Sequence, residues 1–301
     1  MPTPSAKTPF RAGLVAVVGR PNVGKSTLLN ELLGEKIAIV SPHPQTTRQR
    51  ILGVVTEPDA QIAFLDTPGF HAPRHKLGVR MQNEAKEALR QADLVLFVTT
   101  AGGSPEVLRE LEGLEVPVVC ALNKVDLVRP KSKLLPVLEG CAASYPFAAI
   151  VPISAKTGDG LVQLMAELRS RLPEGEARFE ADTLTDQPAR KLVTEFVREQ
   201  ILLRTRQEVP HGIAVTVDSY DESKKGGPRI ALTIHVPKES HKKIIVGRGG
   251  SMLKEVGIAA RKELERLLGT PVHLALWVRV TPDWFDDPSA LDALAGTEEA
   301  R

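Results

Sequence analysis

The sequence predicts an α/β domain with a doubly wound, mostly parallel sheet, followed by a smaller α+β domain. Up to about residue 172, continuous apolar runs alternate with helical patterns, as in parallel strands buried on both faces. In the later strands apolar and polar residues alternate instead, as in antiparallel strands with one exposed face. The length of 301 residues also suits two hydrophobic cores better than one.

The first domain is predicted over residues 13–172, after a flexible N-terminus over residues 1–12. Five apolar runs are predicted to form its buried strands: LVAVVG (14–19), IAFLD (62–66), LVLFVTT (94–100), VPVVCALN (116–123) and AAIVPIS (148–154). Because helical patterns separate these runs, the strands are expected to pair in parallel with helices on both faces.

A change of composition separates the two predicted domains. PEGEARFEADTLTDQP (173–188) is rich in acidic residues and carries little apolar periodicity, so we predict a linker. The second domain, over residues 189–285, follows the order helix, strand, strand, helix, helix, strand. Its elements are ARKLVTEFVREQILLR (189–204), GIAVTVDSY (212–220), RIALTIHV (229–236), two helices meeting at VGRGG, and HLALWVRV (273–280). Residues 286–301 are expected to be a frayed acidic tail.

Composition excludes several classes of protein. With 42% hydrophobic and 25% charged residues, the chain is expected to fold rather than to be disordered or fibrous. The two cysteines lack metal-site spacing and favour a reducing cytoplasm. No apolar run approaches the length of a spanning helix, and we expect neither a signal peptide nor a transmembrane segment.

The small net charge of +2 conceals a basic stretch. Between Lys224 and Lys254 there are eight basic residues and one acidic residue, Glu239. Such a stretch is either a solvated surface or a site for a polyanion, and a motif within it must decide between the two.

GRPNVGKS (19–26) fits the phosphate-binding pattern GxxxxGK[ST] between a buried strand and a helix. Lys25 is expected to contact the β- and γ-phosphates of a nucleotide, and Ser26 to bind Mg²⁺. The remaining phosphate contacts are assigned to the backbone of the loop and the start of the helix, at Gly19, Asn22, Val23, Gly24 and Thr27.

Three further motifs follow strands in order. DTPG (66–69) places Asp66 near the Mg²⁺ shell and the Gly69 amide near the γ-phosphate. NKVD (123–126) supplies Asn123, Lys124 and Asp126, and the Asp126 carboxylate can accept the N1 and N2 hydrogens of guanine. The segment that closes over the base is SAK, formed by Ser154, Ala155 and Lys156.

Together these motifs resemble those of translation-factor-class GTPases over residues 13–172, which implies binding of GTP, GDP and Mg²⁺. The first switch is expected in SPHPQTTRQR (41–50). By similarity to GTPases with a TTR signature, Thr47 is favoured over Thr46 as the second Mg²⁺ ligand. The alternative is that both threonines only cap a turn.

Phe70 occupies the position where Ras-like enzymes carry a glutamine that orients water. Phenylalanine cannot hydrogen-bond water, so slow intrinsic hydrolysis is expected, although Phe70 can equally anchor the switch in a core. The residues assigned to catalysis are Asn22, Lys25, Thr47 and Gly69. GTPases with GxPNxGKS, which this chain resembles, use the asparagine to bind K⁺; the alternative is a hydrogen bond within the loop.

A second glycine loop, GRGG (247–250), joins two helices inside the basic stretch. The surrounding element order resembles the RNA-binding KH domain of type II, whose GxxG loop clamps a single strand. The alternative is a helix–helix turn that merely uses glycine. The residues assigned to RNA binding are Lys242, Lys243, Gly247, Arg248, Gly249, Gly250 and Lys254.

A GTPase domain followed by a type II KH domain is similar to the Era family of ribosome-assembly GTPases, over about residues 10–285. The resemblance implies binding near the 3′ end of small-subunit ribosomal RNA, action on the 30S-type subunit, and control of the RNA site by GTP. It implies no DNA partner, and a cytoplasmic location that leaves room for peripheral contact with the inner face of the cell membrane. The competing hypotheses are an RNA-binding scaffold with a structural nucleotide site and a GTPase of RNA modification.

Overall fold

The computed structural model describes residues 9–70, 73, 75–103, 105–205, 212–223 and 226–295. The chain divides into two compact units. Of the described residues, the first unit contains those within 9–38, 47–70 and 82–186, and the second contains those within 39–46, 73, 75–81 and 187–295. Two short segments from the first half of the chain therefore belong to the second unit, which the sequence did not indicate.

The first unit is built on a six-stranded sheet with the order β2-β3-β1-β4-β5-β6. Its strands are β1 (Arg11–Val18), β2 (Ile51–Glu57), β3 (Ala60–Asp66), β4 (Leu94–Thr100), β5 (Val118–Asn123) and β6 (Ala149–Pro152). Only β2 is antiparallel to its neighbour. Since the other strands are parallel, their carboxyl ends share one edge of the sheet, where α/β proteins place their ligands. The predicted doubly wound, mostly parallel sheet is confirmed.

Helices and 3-10 segments connect these strands. The helices are α1 (Lys25–Leu33), α2 (Lys76–Gln91), whose first turns belong to the second unit, α3 (Leu134–Ser144) and α4 (Leu161–Arg171). The 3-10 segments are Pro105–Leu111, Val125–Leu127 and Lys131–Lys133. The core contains the apolar runs: all seven residues of β3 and all six of β5 are buried.

Two features of the first unit were not predicted. Strand β2 was missed, although its β-branched residues and the Pro58-Asp59 turn before β3 are hairpin signals. The predicted linker contains no helix, but it is fixed along the first unit: Gln61 Oε1 accepts the N–H groups of Arg178 (2.7 Å) and Phe179 (2.9 Å). The N-terminal prediction also extended too far, because β1 begins at Arg11.

The second unit has the predicted element order. It contains α5 (Ala189–Arg204), β7 (Ala214–Asp221), β8 (Arg229–Val236), α6 (Glu239–Val246), a 3-10 turn (Arg248–Gly250), α7 (Ser251–Leu268), β9 (His273–Val280) and α8 (Pro288–Ala295). The sheet order is β7-β8-β9, with β8 antiparallel to β7 and parallel to β9. The α+β architecture of the second domain is confirmed.

The expectation of a frayed acidic tail is wrong for residues 288–295. These residues form α8, in which Leu291 is only 6% exposed and packs with Trp284, Leu77 and Met81 in a small apolar cluster. The acidic composition concealed this because one apolar side chain per turn is enough to dock a short helix. Residues 296–301, like Lys224 and Lys225 of the basic stretch, lie outside the described residues.

Across the described part of the chain, none of the helices is both long enough and apolar enough to cross a membrane.

Candidate functional site

The loop between β1 and α1 has the backbone of a phosphate cradle. Gly24, the residue before α1, has φ 101°, and an added Cβ would lie 2.4 Å from Asn123 Nδ2. Glycine is therefore required there by both conformation and space. The N–H groups that open α1 have no intrahelical acceptor, so the loop presents free donors where a phosphate would bind.

Lys25 is buried beneath this loop. Its Nζ donates to the carbonyl oxygens of Gly19 (3.3 Å) and Arg20 (3.1 Å). Burial lowers the pKa of Lys25 from 10.5 to about 8, and the nearby Asp66 carboxylate offsets part of that effect. An ammonium group in this position is available to pair with phosphate oxygens.

Three side-chain oxygens converge beside Lys25. Ser26 Oγ donates to Asp66 Oδ2 (2.7 Å) and lies 2.9 Å from Thr47 Oγ1, which is 3.4 Å from Asp66 Oδ2. Asp66 is fully buried, and burial raises its pKa despite the Lys25 charge. Its Oδ1 has no hydrogen-bond partner within the described residues. A hard, oxygen-only set with one unpaired buried carboxylate oxygen fits Mg²⁺.

The two threonines of the predicted switch separate in the structure. Thr47 joins the oxygen cluster, whereas Thr46 Oγ1 donates to His43 O (2.7 Å) and lies 2.7 Å from Ser41 Oγ. Thr46 thus has the turn-capping role that was weighed for both residues. The geometry favours Thr47 as the Mg²⁺ ligand, in agreement with the sequence-based choice.

The motifs predicted to hold the base meet at the ends of β5 and β6. Asn123 Nδ2 donates to Val23 O (2.8 Å), and its Oδ1 accepts the N–H groups of Lys124 (2.8 Å) and Ala155 (2.9 Å). One side chain therefore ties the phosphate loop to the loop that follows β6. Ser154 Oγ donates to Asp126 Oδ1 (2.8 Å), which fixes the orientation of that carboxylate.

Other predicted nucleotide contacts lie around this arrangement. Lys124 Nζ donates to the backbone oxygen of Asn22 (2.6 Å), a contact that no motif indicated. Asn22 itself is exposed and has φ 63°, while Thr27 is half-buried in α1 and Lys156 is exposed. Beside Asn22 and Lys124 lies a cavity of about 380 Å³, walled partly by Leu127.

The DTPG segment packs closely on the phosphate loop. A Cβ on Gly69 would lie 2.6 Å from Pro21 N, and the N–H of Phe70 donates to Gly19 O (3.2 Å). The Phe70 ring is buried in the core of the first unit. It therefore anchors its segment there, which is a role that the sequence had left open. It places no hydrogen-bonding group at the water position.

In the second unit, the GRGG loop leaves room for a ligand on one side. A Cβ on Gly247 would approach Met252 N within 2.8 Å, so packing against α7 requires this glycine. Gly249 and Gly250 have φ 59° and 83°, and an added Cβ there would meet open space. The backbone at Gly249 and Gly250 is therefore exposed, and a sugar-phosphate chain can approach it closely.

Basic side chains flank this loop. Lys243, Arg248 and Lys254 are exposed and Lys242 is half-buried, so all four lie within reach of solvent. Gly250 directly precedes α7, whose first N–H groups are a further site for anions. Charge, open glycines and a helix N-terminus coincide here, as expected for a grip on a nucleic acid backbone.

The two units therefore define a P-loop GTPase joined to a KH domain. A family model described as 50S ribosome-binding GTPase matches residues 14–124, and a KH domain model matches residues 208–285. GTPase Era of Geobacter metallireducens is 48% identical over 295 residues, 96% of this chain and 99% of the relative. GTPase Era of Ruminiclostridium cellulolyticum is 46% identical over 290 residues, 95% and 97% of the two chains.

A solved structure supports the same assignment. The crystal structure of Era in complex with MgGDPNP and nucleotides 1506–1542 of 16S ribosomal RNA is 42% identical and has a TM-score of 0.92, covering 95% of this chain and 99% of its own. The chain belongs to the Era family of GTPases.

Sequence reasoning missed two charged residues of the second unit. Arg198 and Glu199 of α5 are 3% and 1% exposed, and both hydrogen-bond the segment 39–46. The available signal was their position next to apolar Val197 and Ile201, inside a helix whose residues 196–202 are all buried. Charged residues at buried positions usually have a specific partner.

Binding of GTP is expected to take up a proton near pH 8, because the phosphates favour charged Lys25. In the free protein Lys25 has a pKa of about 8, so it is increasingly neutral above that pH and must be protonated on binding. GTP affinity should therefore fall by up to about tenfold per pH unit above pH 8. Calorimetry in buffers of different ionisation enthalpy measures the uptake directly, and zero uptake at pH 8.5 would contradict the Lys25 assignment.

Proposed function

We propose that the protein is a Mg²⁺-dependent, potassium-stimulated GTP hydrolase that binds small-subunit ribosomal RNA near its 3′ end and acts in assembly of that subunit. The observation that carries the proposal is the convergence of Ser26, Thr47 and Asp66 beside a complete phosphate loop, in a chain that also has an open GxxG loop. Neither feature alone would distinguish a switch from a simple enzyme or a simple RNA-binding protein.

Mg²⁺ would be held by the oxygens of Ser26 and Thr47, with Asp66 in or near its shell. When bound, the ion neutralises negative charge on the β- and γ-phosphates. The orphaned Oδ1 of Asp66 supports this assignment, because a buried carboxylate oxygen without a partner is otherwise destabilising.

The other residues of the site hold the substrate. Lys25 pairs with the β- and γ-phosphates, and the amides of the loop and of Gly69 bind the remaining oxygens. The Asp126 carboxylate, oriented by Ser154, accepts two hydrogens from guanine. Because Phe70 offers no hydrogen bond to water, the intrinsic rate is expected to be slow.

RNA binding is assigned to the GRGG loop and its flanking cations. A relative of the chain, Era, was crystallised with nucleotides 1506–1542 of 16S ribosomal RNA, which supports the same partner here. DNA is not expected, because the nucleic acid in that relative's crystal structure is RNA. The role in subunit assembly rests on this partner.

Potassium should accelerate hydrolysis relative to sodium at equal ionic strength, and Asn22→Ala should abolish the difference. The Asn22 side-chain oxygen would bind K⁺ beside the phosphates, where a cation offsets the charge that develops during transfer. Multiple-turnover phosphate release in KCl, NaCl and CsCl tests this. Equal rates in all three salts would remove the cation from the mechanism.

Multiple-turnover GTP hydrolysis with and without small-subunit RNA tests the proposed activity. An RNA-binding scaffold with a structural nucleotide site would bind GTP but not turn it over. A hydrolase should release phosphate repeatedly, lose that activity when Mg²⁺ is chelated, and respond to added RNA.

The proposed site of action is the cytoplasm, where ribosomal subunits are assembled. Both cysteines, Cys120 and Cys141, are free thiols, which agrees with a reducing compartment. Peripheral contact with the inner face of the cell membrane stays a prediction, for which cosedimentation with anionic lipid vesicles is the test.

A further inference from the structure

The segment 39–46 is embedded in the second unit. Ile39 is 1% exposed and is part of the same hydrophobic core as Val193, Phe196 and Val197 of α5. This segment forms most of the predicted first switch and ends immediately before Thr47. The core of the KH-containing unit therefore includes a piece of a GTPase switch.

Polar contacts from α5 hold both ends of this segment. Glu199 Oε1 accepts the N–H of Val40 (2.8 Å), and Arg198 Nη2 donates to the carbonyl oxygen of Thr46. Between them, His43 Nε2 lies 3.0 Å from the carbonyl oxygen of Thr205, the residue that follows α5. One helix and its C-cap thus fix three points along eight residues.

The charges that make these contacts are deeply buried. Arg198 also pairs with Glu195, whose side chain is 23% exposed, and Gln200 Nε2 lies 3.3 Å from Glu199 Oε2. A buried ion pair adds little stability compared with apolar residues of the same size. Burying these charges costs free energy, and the buried side chains hold the backbone of segment 39–46 in position.

The Thr46 carbonyl belongs to the peptide group that joins Thr46 to Thr47. That group is planar, so a donor that fixes its oxygen also fixes the backbone nitrogen of Thr47. Only rotations about single bonds of Thr47 then separate this nitrogen from the Thr47 hydroxyl. Thr47 Oγ1 is the atom found 2.9 Å from Ser26 Oγ. The Arg198 contact therefore lies one peptide group away from the predicted Mg²⁺ ligand.

We propose that Arg198 and Glu199 are positioning residues that hold the first switch so that Thr47 reaches the Mg²⁺–GTP site. The inference rests on the proposed role of Thr47 in GTP binding. The contacts that carry it lie within the second unit, where charged side chains of one helix, α5, hydrogen-bond to the switch backbone.

Arg198→Met should lower the affinity for a non-hydrolysable GTP analogue about tenfold and leave GDP affinity within about twofold, because Thr47 has a ligand role only when the γ-phosphate is present. The apparent Mg²⁺ requirement should rise for the analogue alone. Glu199→Gln keeps the shape of the side chain but loses its charge. It should lower the ratio of GTP-analogue affinity to GDP affinity as well, but by less. Titrations with fluorescent GDP and GTP analogues measure both affinities.

Arg190→Met is the matched control on the same helix. Arg190 is exposed and lies over the Tyr220 ring at 5.7 Å, away from the contacts to segment 39–46. It should leave the ratio of the two affinities unchanged. If Arg198→Met fails to fold, Arg198→Lys keeps the charge near Glu195 but loses the guanidinium geometry, and it should show a smaller shift of the ratio.

A double-mutant cycle separates positioning from general stability. In a Thr47→Ala background, Arg198→Met should cause no further loss of GTP-analogue affinity, because the residue through which it acts is gone. Equal losses for GDP and GTP analogue, or additive losses in the cycle, would overturn the positioning role. A wild-type protein that binds GTP without Mg²⁺ dependence would instead contradict the proposed function, so the two failures are distinguishable.

Discussion

Asp126→Asn should weaken GTP binding by about a hundredfold and move the preference of the protein to xanthosine triphosphate. The carboxylate accepts two hydrogens from guanine, whereas an amide turns one acceptor into a donor that faces the guanine amino group. Xanthine carries an oxygen at that position, so it restores the pair. The Ser154 hydroxyl, 2.8 Å from Asp126 Oδ1, should keep the new side chain in the same orientation.

The control for this exchange is Asp59→Asn, in the turn between β2 and β3. It makes the same change of charge, at an ion pair with Arg169. The affinities for GTP and for xanthosine triphosphate should both stay unchanged. Competition titrations with GTP, ATP and xanthosine triphosphate report all three preferences. Unchanged GTP affinity in Asp126→Asn would mean that the guanine edge is read elsewhere.

Placing aspartate at both Gly249 and Gly250 should lower RNA affinity by about a hundredfold while intrinsic GTP hydrolysis survives. Two carboxylates would repel the phosphates and fill the space through which the RNA backbone approaches. Both positions have positive φ and open space for a Cβ, and aspartate tolerates this conformation better than most residues. The fold should therefore persist.

Gly269→Asp is the matched control for the loop variant. Gly269 caps α7 with φ 65° and has the same open surroundings, so its exchange adds backbone strain similar to that at one loop position, outside the GRGG loop. The double exchange of Gly249 and Gly250 to asparagine separates charge from size. In gel-shift titrations, RNA affinity should be highest for Gly269→Asp, lower for the asparagine variant and lowest for the aspartate variant. Equal affinity in all three would exclude this loop as the RNA site.

The convergence of the four predicted nucleotide-binding motifs could be predicted from sequence because each motif is contiguous. GRPNVGKS, DTPG, NKVD and SAK all follow apolar runs, and parallel strands bring such ends to one edge. The hydrogen bonds of Asn123 to Val23 and Ala155 are consequences of that convergence. Choosing Thr47 over its neighbour required similarity, and the structure supplies the physical reason: only Thr47 lies at the Ser26 hydroxyl.

The contacts of the switch segment could not be predicted in the same way. Arg198 and Thr46 are 152 residues apart, and no local pattern pairs a helix of one predicted domain with a loop of another. Helix α8 was missed for a related reason, since its one buried leucine depends on Trp284 and on Leu77 and Met81 far away in sequence. Local motifs predicted the chemistry, whereas long-range packing determined which unit holds the predicted switch segment.

The most direct test of the switch is the affinity of the protein for an RNA of nucleotides 1506–1542 of 16S ribosomal RNA in two nucleotide states. Fluorescence anisotropy would compare Mg²⁺ with a non-hydrolysable GTP analogue against Mg²⁺ with GDP, at one salt concentration. We predict at least about tenfold tighter binding in the GTP-like state, the size of an ordinary allosteric coupling. Equal affinity in both states would contradict control of the RNA site by GTP, and absence of binding in either state would contradict the RNA partner itself.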